Sequence, residues 1–171
     1  RQMCIRDRPK QDIEALVSEL GALLIDQQRF VCTAESCTGG GIASAITDLA
    51  GSSAWFDRAY VTYSNQAKMT MLGVDTATLE KFGAVSEAVA REMAEGALRE
   101  SGTDLCVSVT GVAGPGGGTK DKPVGMVCFG WSDGRRTQTS TQRFAGNRAQ
   151  VRAASVSFAL ERLIELAKDV Q

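Results

Sequence analysis

Apolar positions recur along the chain with two different periods. Between residues 10 and 28, Ile13, Leu16, Val17, Leu20, Leu23 and Leu24 fall on one face, so the spacing predicts an amphipathic helix. A short continuous apolar run at 30–35 predicts a buried strand. Ile42, Ala45, Ile46 and Leu49 then restore the helical period until Gly51 stops it. "RAYVTY", residues 58–63, reads as a second strand. Ser64 or Asn65 caps a short helix running to Leu72, and Gly73 ends it. Asp75 or Thr76 opens a brief helix through Phe82. Ser86 caps a longer one, with Val85, Val89, Met93 and Ala97 on one face. Strands are expected at 104–110 and 124–132, joined by a Gly/Pro loop at 111–123. Asp133-Gly134 signals a hairpin leading to a strand at about 135–144. The last helix starts near Asn147 and buries Val151, Val156, Leu160, Leu163 and Ala167.

Strands alternate with helices early, and the final two strands form a hairpin. That order predicts an α/β fold: a three-layer α/β/α sandwich on a mixed, mostly parallel sheet with a C-terminal β-hairpin. Ligands of such sheets bind beyond the carboxyl ends of the parallel strands. The loops after residues 35, 63 and 110 therefore become the candidate site. One domain is expected over 9–171. Residues 1–8, RQMCIRDR, show neither period nor capping logic. They back-translate as AGA CAG ATG TGT ATA AGA GAC AGR, which resembles a transposon end used to fragment DNA, so a non-native tail is expected there.

Composition narrows the chemistry. Hydrophobic residues make up 43% and charged residues 23%, as in a globular domain. The net charge of -1, without a basic block, argues against a nucleic-acid partner. No apolar run reaches the length of a bilayer span, so no membrane partner is expected, and no secretory signal pattern is visible. The five cysteines form no CxxC pair, and Cys32, Cys106 and Cys128 lie in strand-like runs, which suits a reducing cytoplasm. Histidine is absent altogether. This excludes Ser-His-Asp and Cys-His catalysis and every His-ligated metal site. Any hydrolytic proton transfer falls to lysine, tyrosine or a carboxylate.

Four segments carry candidate chemistry. In "TAESCTGGG", residues 33–41, Ser36 sits at a strand exit and three glycines open the next helix. N–H groups of Thr38, Gly39 or Gly40 aimed nearby would form an oxyanion hole; close strand-to-helix packing would select glycine equally well. Cys37 is the rival nucleophile, activated only by the helix dipole or a lysine. In "TYSNQAK", 62–68, Lys68 falls in the first helical turn, where the dipole disfavours the ammonium, and burial would lower its pKa further. It is either a general base for a serine or a solvated surface lysine. Tyr63 is either a proton relay or a packed aromatic. "TGVAGPGGGTKDKP", 110–123, is either an anion nest or a flexible connection; it is not a Walker loop, because Thr119 precedes Lys120. In "FAGNRAQVR", 144–152, Arg148 occupies a first helical turn, where a cation is unfavourable unless it meets an anion such as phosphate.

Taken together, "TAESCTGGGIA", "ITDLAGSSAWF", "VTYSNQAK", "GAVSEAVAREMAEGAL", "VTGVAGPGGGT", "KPVGMV" and "FAGNRAQVR" resemble the CinA C-terminal domain family over roughly residues 11–168. Enzymatic members of that family are nicotinamide mononucleotide (NMN) amidohydrolases. The resemblance implies hydrolysis of the NMN carboxamide to nicotinic acid mononucleotide and ammonia, with no cofactor and no metal. It implies Ser36 as nucleophile, Lys68 as its base and Tyr63 beside them. It implies a substrate pocket built from Thr38, Gly39, Gly40, Asn65, Thr110, Gly111, Gly114 and Arg148, and a homo-oligomeric assembly. Two other readings stay open at this point: a nucleotide-sensing module that binds without turnover, and an amidase acting on another small carboxamide.

Overall fold

The computed structural model describes residues 13–169. The expected non-native stretch at 1–8 lies outside them, as does the start of the first helical pattern. Among the described residues the order is α1 (Ile13–Gln27), β1 (Val31–Glu35), α2 (Gly41–Thr47), β2 (Phe56–Val61), α3 (Asn65–Leu72), α4 (Thr76–Phe82), α5 (Glu87–Ser101), β3 (Leu105–Gly111), β4 (Met126–Ser132), β5 (Thr137–Arg143) and α6 (Arg148–Lys168). A single 3-10 turn, Ser52–Ala54, precedes β2. It is too short to show any apolar period, and the pattern missed it. The hairpin turn covers residues 133–136, with Gly134 at φ 85 and Asp133 Oδ1 accepting the N–H groups of Arg135 and Arg136. The fifth strand therefore starts two residues later than the Asp-Gly signal suggests.

The strand order is β2-β1-β3-β4-β5. β1 pairs in parallel with β2 and β3, whereas β4 is antiparallel to β3 and β5 is antiparallel to β4. β4 thus runs against the other four strands. Side-chain alternation sorts the sheet into two cores. Val31, Leu105, Val107 and Val109 face α1, α2 and α6, together with Val127, Phe129 and Trp131. Cys32, Ala34 and Cys106 face α3, α4 and α5 through Leu72, Leu79, Val89 and Met93. This is the three-layer sandwich the element order predicts. None of the described helices is long and apolar enough to cross a membrane.

Two packing features place the site. Phe129 stacks on Trp131 at 5.4 Å, and Phe158 of α6 meets both rings edge-on at 4.9 and 5.7 Å. Such aromatic pairs contribute about 0.5–1.5 kcal/mol each beyond area burial. The Trp131 indole also donates to Ala159 O at 3.1 Å. These contacts pin α6 to the sheet, with its first turns at the carboxyl end of β1. On the other face, α3 is seated on α5 where Gly96 leaves room for its backbone. A Cβ on Gly96 would lie 1.9 Å from Leu72 O.

Gly96→Ala is therefore expected to destabilise the fold by about 1–3 kcal/mol, since overpacking outweighs the gain of about 1 kcal/mol in helix propensity. Urea denaturation checks this: a midpoint at or above that of the parent chain would contradict the packing.

Candidate active site

The glycine turn has no side-chain cap of its own. Gly40, at φ 96, occupies the N-cap position of α2, and Gly39 has φ 57. Both conformations are costly for any residue with a Cβ. The cap comes instead from the end of β1. The Glu35 carboxylate, fully buried, accepts the N–H groups of Ile42 at 2.9 Å and Ala43 at 3.0 Å. It also accepts the hydroxyls of Thr38 at 2.7 Å and Thr33 at 3.1 Å. Four donors offset the cost of a buried charge, and the α2 dipole adds to them.

Ser36 still belongs to the sheet, its N–H donating to Val109 O at 2.9 Å. Gly39 N–H closes the turn onto Ser36 O, and Gly41 N–H onto Thr38 O, each at 2.9 Å. Gly39 is thereby removed from the set of available donors. Among the described residues, the N–H groups of Thr38 and Gly40 have no backbone or side-chain acceptor. Two unoccupied N–H groups beside a serine hydroxyl are the raw material of an oxyanion hole.

Ser64 caps α3 by accepting Ala67 N–H at 3.0 Å, which leaves Lys68 at the end of the first turn with its N–H on Ser64 O. The side chain turns inward. Lys68 is 1% exposed, its Nζ lying 3.1 Å from Ser36 Oγ and 2.8 Å from Thr62 O. Among the described residues no carboxylate forms an ion pair with it. Burial pushes its pKa below the ordinary lysine value of 10.5. The solvated-lysine alternative is thus excluded. Cys37 moves the other way. Burial pushes its thiol up to about 12, so it stays protonated near neutral pH and is a poor nucleophile.

Arg148 ties two further loops to this pair. It donates from Nη1 to Gly114 O at 2.8 Å and from Nη2 to the Tyr63 hydroxyl at 3.0 Å. Tyr63 is 63% exposed, and its hydroxyl is held by Arg148 rather than by Lys68. Asn147 and Gln150 form a reciprocal capping box at the start of α6, fixing the turn that carries Arg148. Thr110 is buried with its hydroxyl on Ala84 O at 2.9 Å. Gly111 is a glycine because a Cβ there would stand 2.9 Å from Met126 O. Asn65 is exposed on the first turn of α3.

Two residues of the site were not picked out by sequence reasoning, Glu35 and Arg152. Glu35 lies directly before Ser36 and has the strand parity that sends it toward α2. Arg152 follows Arg148 by four residues, which puts both on one helix face. Its Nε donates to Cys37 O at 3.1 Å and its Nη2 to Thr38 O at 3.0 Å.

Known proteins share this arrangement of elements. The nicotinamide-nucleotide amidohydrolase PncC of Enterobacter agglomerans is 54% identical over 151 residues, covering 87% of this chain and 92% of that protein. A CinA-like protein of Endomicrobium trichonymphae is 50% identical over 152 residues, 89% of this chain but 36% of that longer protein. The crystal structure of competence/damage inducible protein CihA from Agrobacterium tumefaciens superposes with a TM-score of 0.89 at 46% identity, covering 93% of this chain and 96% of that one. The CinA C-terminal domain family matches residues 13–167, from the first turn of α1 to the last turn of α6. The chain belongs to the CinA C-terminal domain family.

Proposed function

We propose that this protein is an amidohydrolase that converts NMN and water to nicotinic acid mononucleotide and ammonia, using Ser36 as nucleophile and Lys68 as general base. The observation that carries the reading is the 3.1 Å approach of a buried lysine amine, without a counter-ion among the described residues, to a serine hydroxyl. Identity of about half with a nicotinamide-nucleotide amidohydrolase supports the substrate. The buried, free state of Cys32, Cys37, Cys106 and Cys128 suits a cytoplasmic setting.

The uncharged Lys68 amine donates one proton to Thr62 O and directs its lone pair at the Ser36 hydroxyl. Ser36 Oγ attacks the carboxamide carbon while its proton passes to Nζ. Unoccupied N–H groups of the 36–40 turn stabilise the oxyanion. Collapse breaks the C–N bond, and the proton on Lys68 leaves with ammonia, giving a nicotinoyl ester on Ser36. Water then attacks that ester, with Lys68 again taking the proton and returning it to Ser36 Oγ as the ester C–O bond breaks, and the acid is released. Arg148 keeps further donors and a positive charge beyond those bonded to Gly114 and Tyr63, and these face the substrate's 5′-phosphate.

Ser36→Ala is expected to abolish ammonia release from NMN while NMN still binds. A coupled ammonia assay and calorimetric titration check both halves. An Ala variant that retains turnover overturns the nucleophile assignment, and a parent chain that binds NMN without releasing ammonia makes this a sensing module instead.

Lys68 also predicts a pH signature in stability. Unfolded, the amine holds its proton up to 10.5; folded, it loses it at lower pH. Between those two values the unfolded chain binds more protons, so this residue makes stability rise with pH. Below the folded value the penalty for burying the amine is complete. Stability of the parent chain is therefore expected to improve relative to Lys68→Met as pH climbs toward 10.5. Parallel stability profiles in urea for the two proteins would contradict the lowered pKa.

A further inference from the structure

We propose that Arg152 is a positioning residue for the oxyanion hole: its guanidinium holds the peptide between Cys37 and Thr38 so that the Thr38 N–H faces the substrate carbonyl oxygen. The inference rests on the amide-hydrolysis reading above. In a trans peptide the C=O and N–H point in opposite directions. Arg152 Nε on Cys37 O therefore leaves the Thr38 N–H on the far side of the same plane. That Arg152 contact is the one hydrogen bond made to Cys37 O among the described residues. The next peptide is held twice over, since Thr38 O accepts from both Gly41 N–H and Arg152 Nη2.

The plane in question is flanked by soft backbone. Gly39 and Gly40 follow it, both with positive φ and without side chains to pack. A Cβ on Gly39 would come within 3.4 Å of Arg152 Nη2, so the guanidinium also fills the space beside the turn. Glu35 secures the helix end of the segment through Ile42 and Ala43, and Arg152 secures the serine end. No carboxylate pairs with Arg152 among the described residues, so its charge stays available to polarise the peptide it grips. An N–H of a peptide whose carbonyl faces a cation is a stronger donor to a developing oxyanion.

The test compares the parent chain with Arg152→Met and Arg152→Lys in two assays, with melting temperature as a control. The first is ammonia release from NMN, resolved into kcat and KM. The second is the rate at which a fluorophosphonate modifies Ser36, followed by intact mass, because phosphonylation also builds negative charge on an oxygen in the hole. Arg152→Met is expected to lose about 10²-fold in kcat, the cost of one oxyanion donor, with KM little changed. Ser36 modification should slow by a similar factor. Arg152→Lys, with the charge but without the fork, should recover part of both losses. A raised KM with unchanged kcat overturns the proposal, since Arg152 would then bind substrate. A kcat loss that follows melting temperature and is not relieved by lysine also overturns it. If the parent chain ignores NMN but Arg152→Met still slows Ser36 modification, the positioning role stands and the substrate assignment fails. Unchanged modification of Ser36 overturns the positioning role whatever NMN does.

Discussion

A lysine amine buried with no carboxylate paired to it among the described residues is the constraint around which this site is organised. Lys68 reaches Ser36 Oγ because Ser64 starts α3 at the right residue and because the packing of Gly96 against Leu72 lets α3 sit tightly on α5. Ionising that amine in place would put a charge where no carboxylate answers it, and the protein's response is a lowered pKa. Such a lysine gives up its proton at lower pH than an exposed one.

The charges nearest the serine serve the backbone rather than each other. Glu35 accepts N–H groups at the helix end of the glycine turn, and Arg152 donates to carbonyl oxygens at its serine end. One turn is thus held by a carboxylate on one side and a guanidinium on the other, with unoccupied N–H groups between. Arg148, one helical turn before Arg152, joins the loop carrying Gly114 to Tyr63 beyond β2. The glycines have two distinct causes. Gly39 and Gly40 are required by positive φ, whereas Gly111 is required by the close approach of β4.

Much of this was legible in the chain. Six helices and five strands were located among the described residues, most by apolar period, α3 and α4 by caps and glycine stops, and β5, which has no apolar residue, by the Asp-Gly turn signal. Helix caps at Ser86 and Asn147 were equally plain, because capping needs a short oxygen-bearing side chain at one position, while the sequence left Asp75 and Thr76 open for α4 and the structure caps it with Asp75. What was not legible depends on contacts between distant residues. Lys68 within "SNQAK" is indistinguishable from a surface lysine until β1 and β2 lie side by side and close over it. The partners of Arg152 are more than a hundred residues earlier in the chain. The bond from the Thr110 hydroxyl to Ala84 O, in the segment before α5, joins residues 26 apart and leaves no local signature.

The central claim concerns the protonation of one amine. Selective isotopic labelling of lysine, with NMR titration of the Lys68 side chain assigned through Lys68→Met, measures it directly. The account predicts that this amine titrates below 10.5 and apart from the exposed lysines. An amine that keeps its proton to 10.5 or beyond would contradict it, and Ser36 would be left without a base.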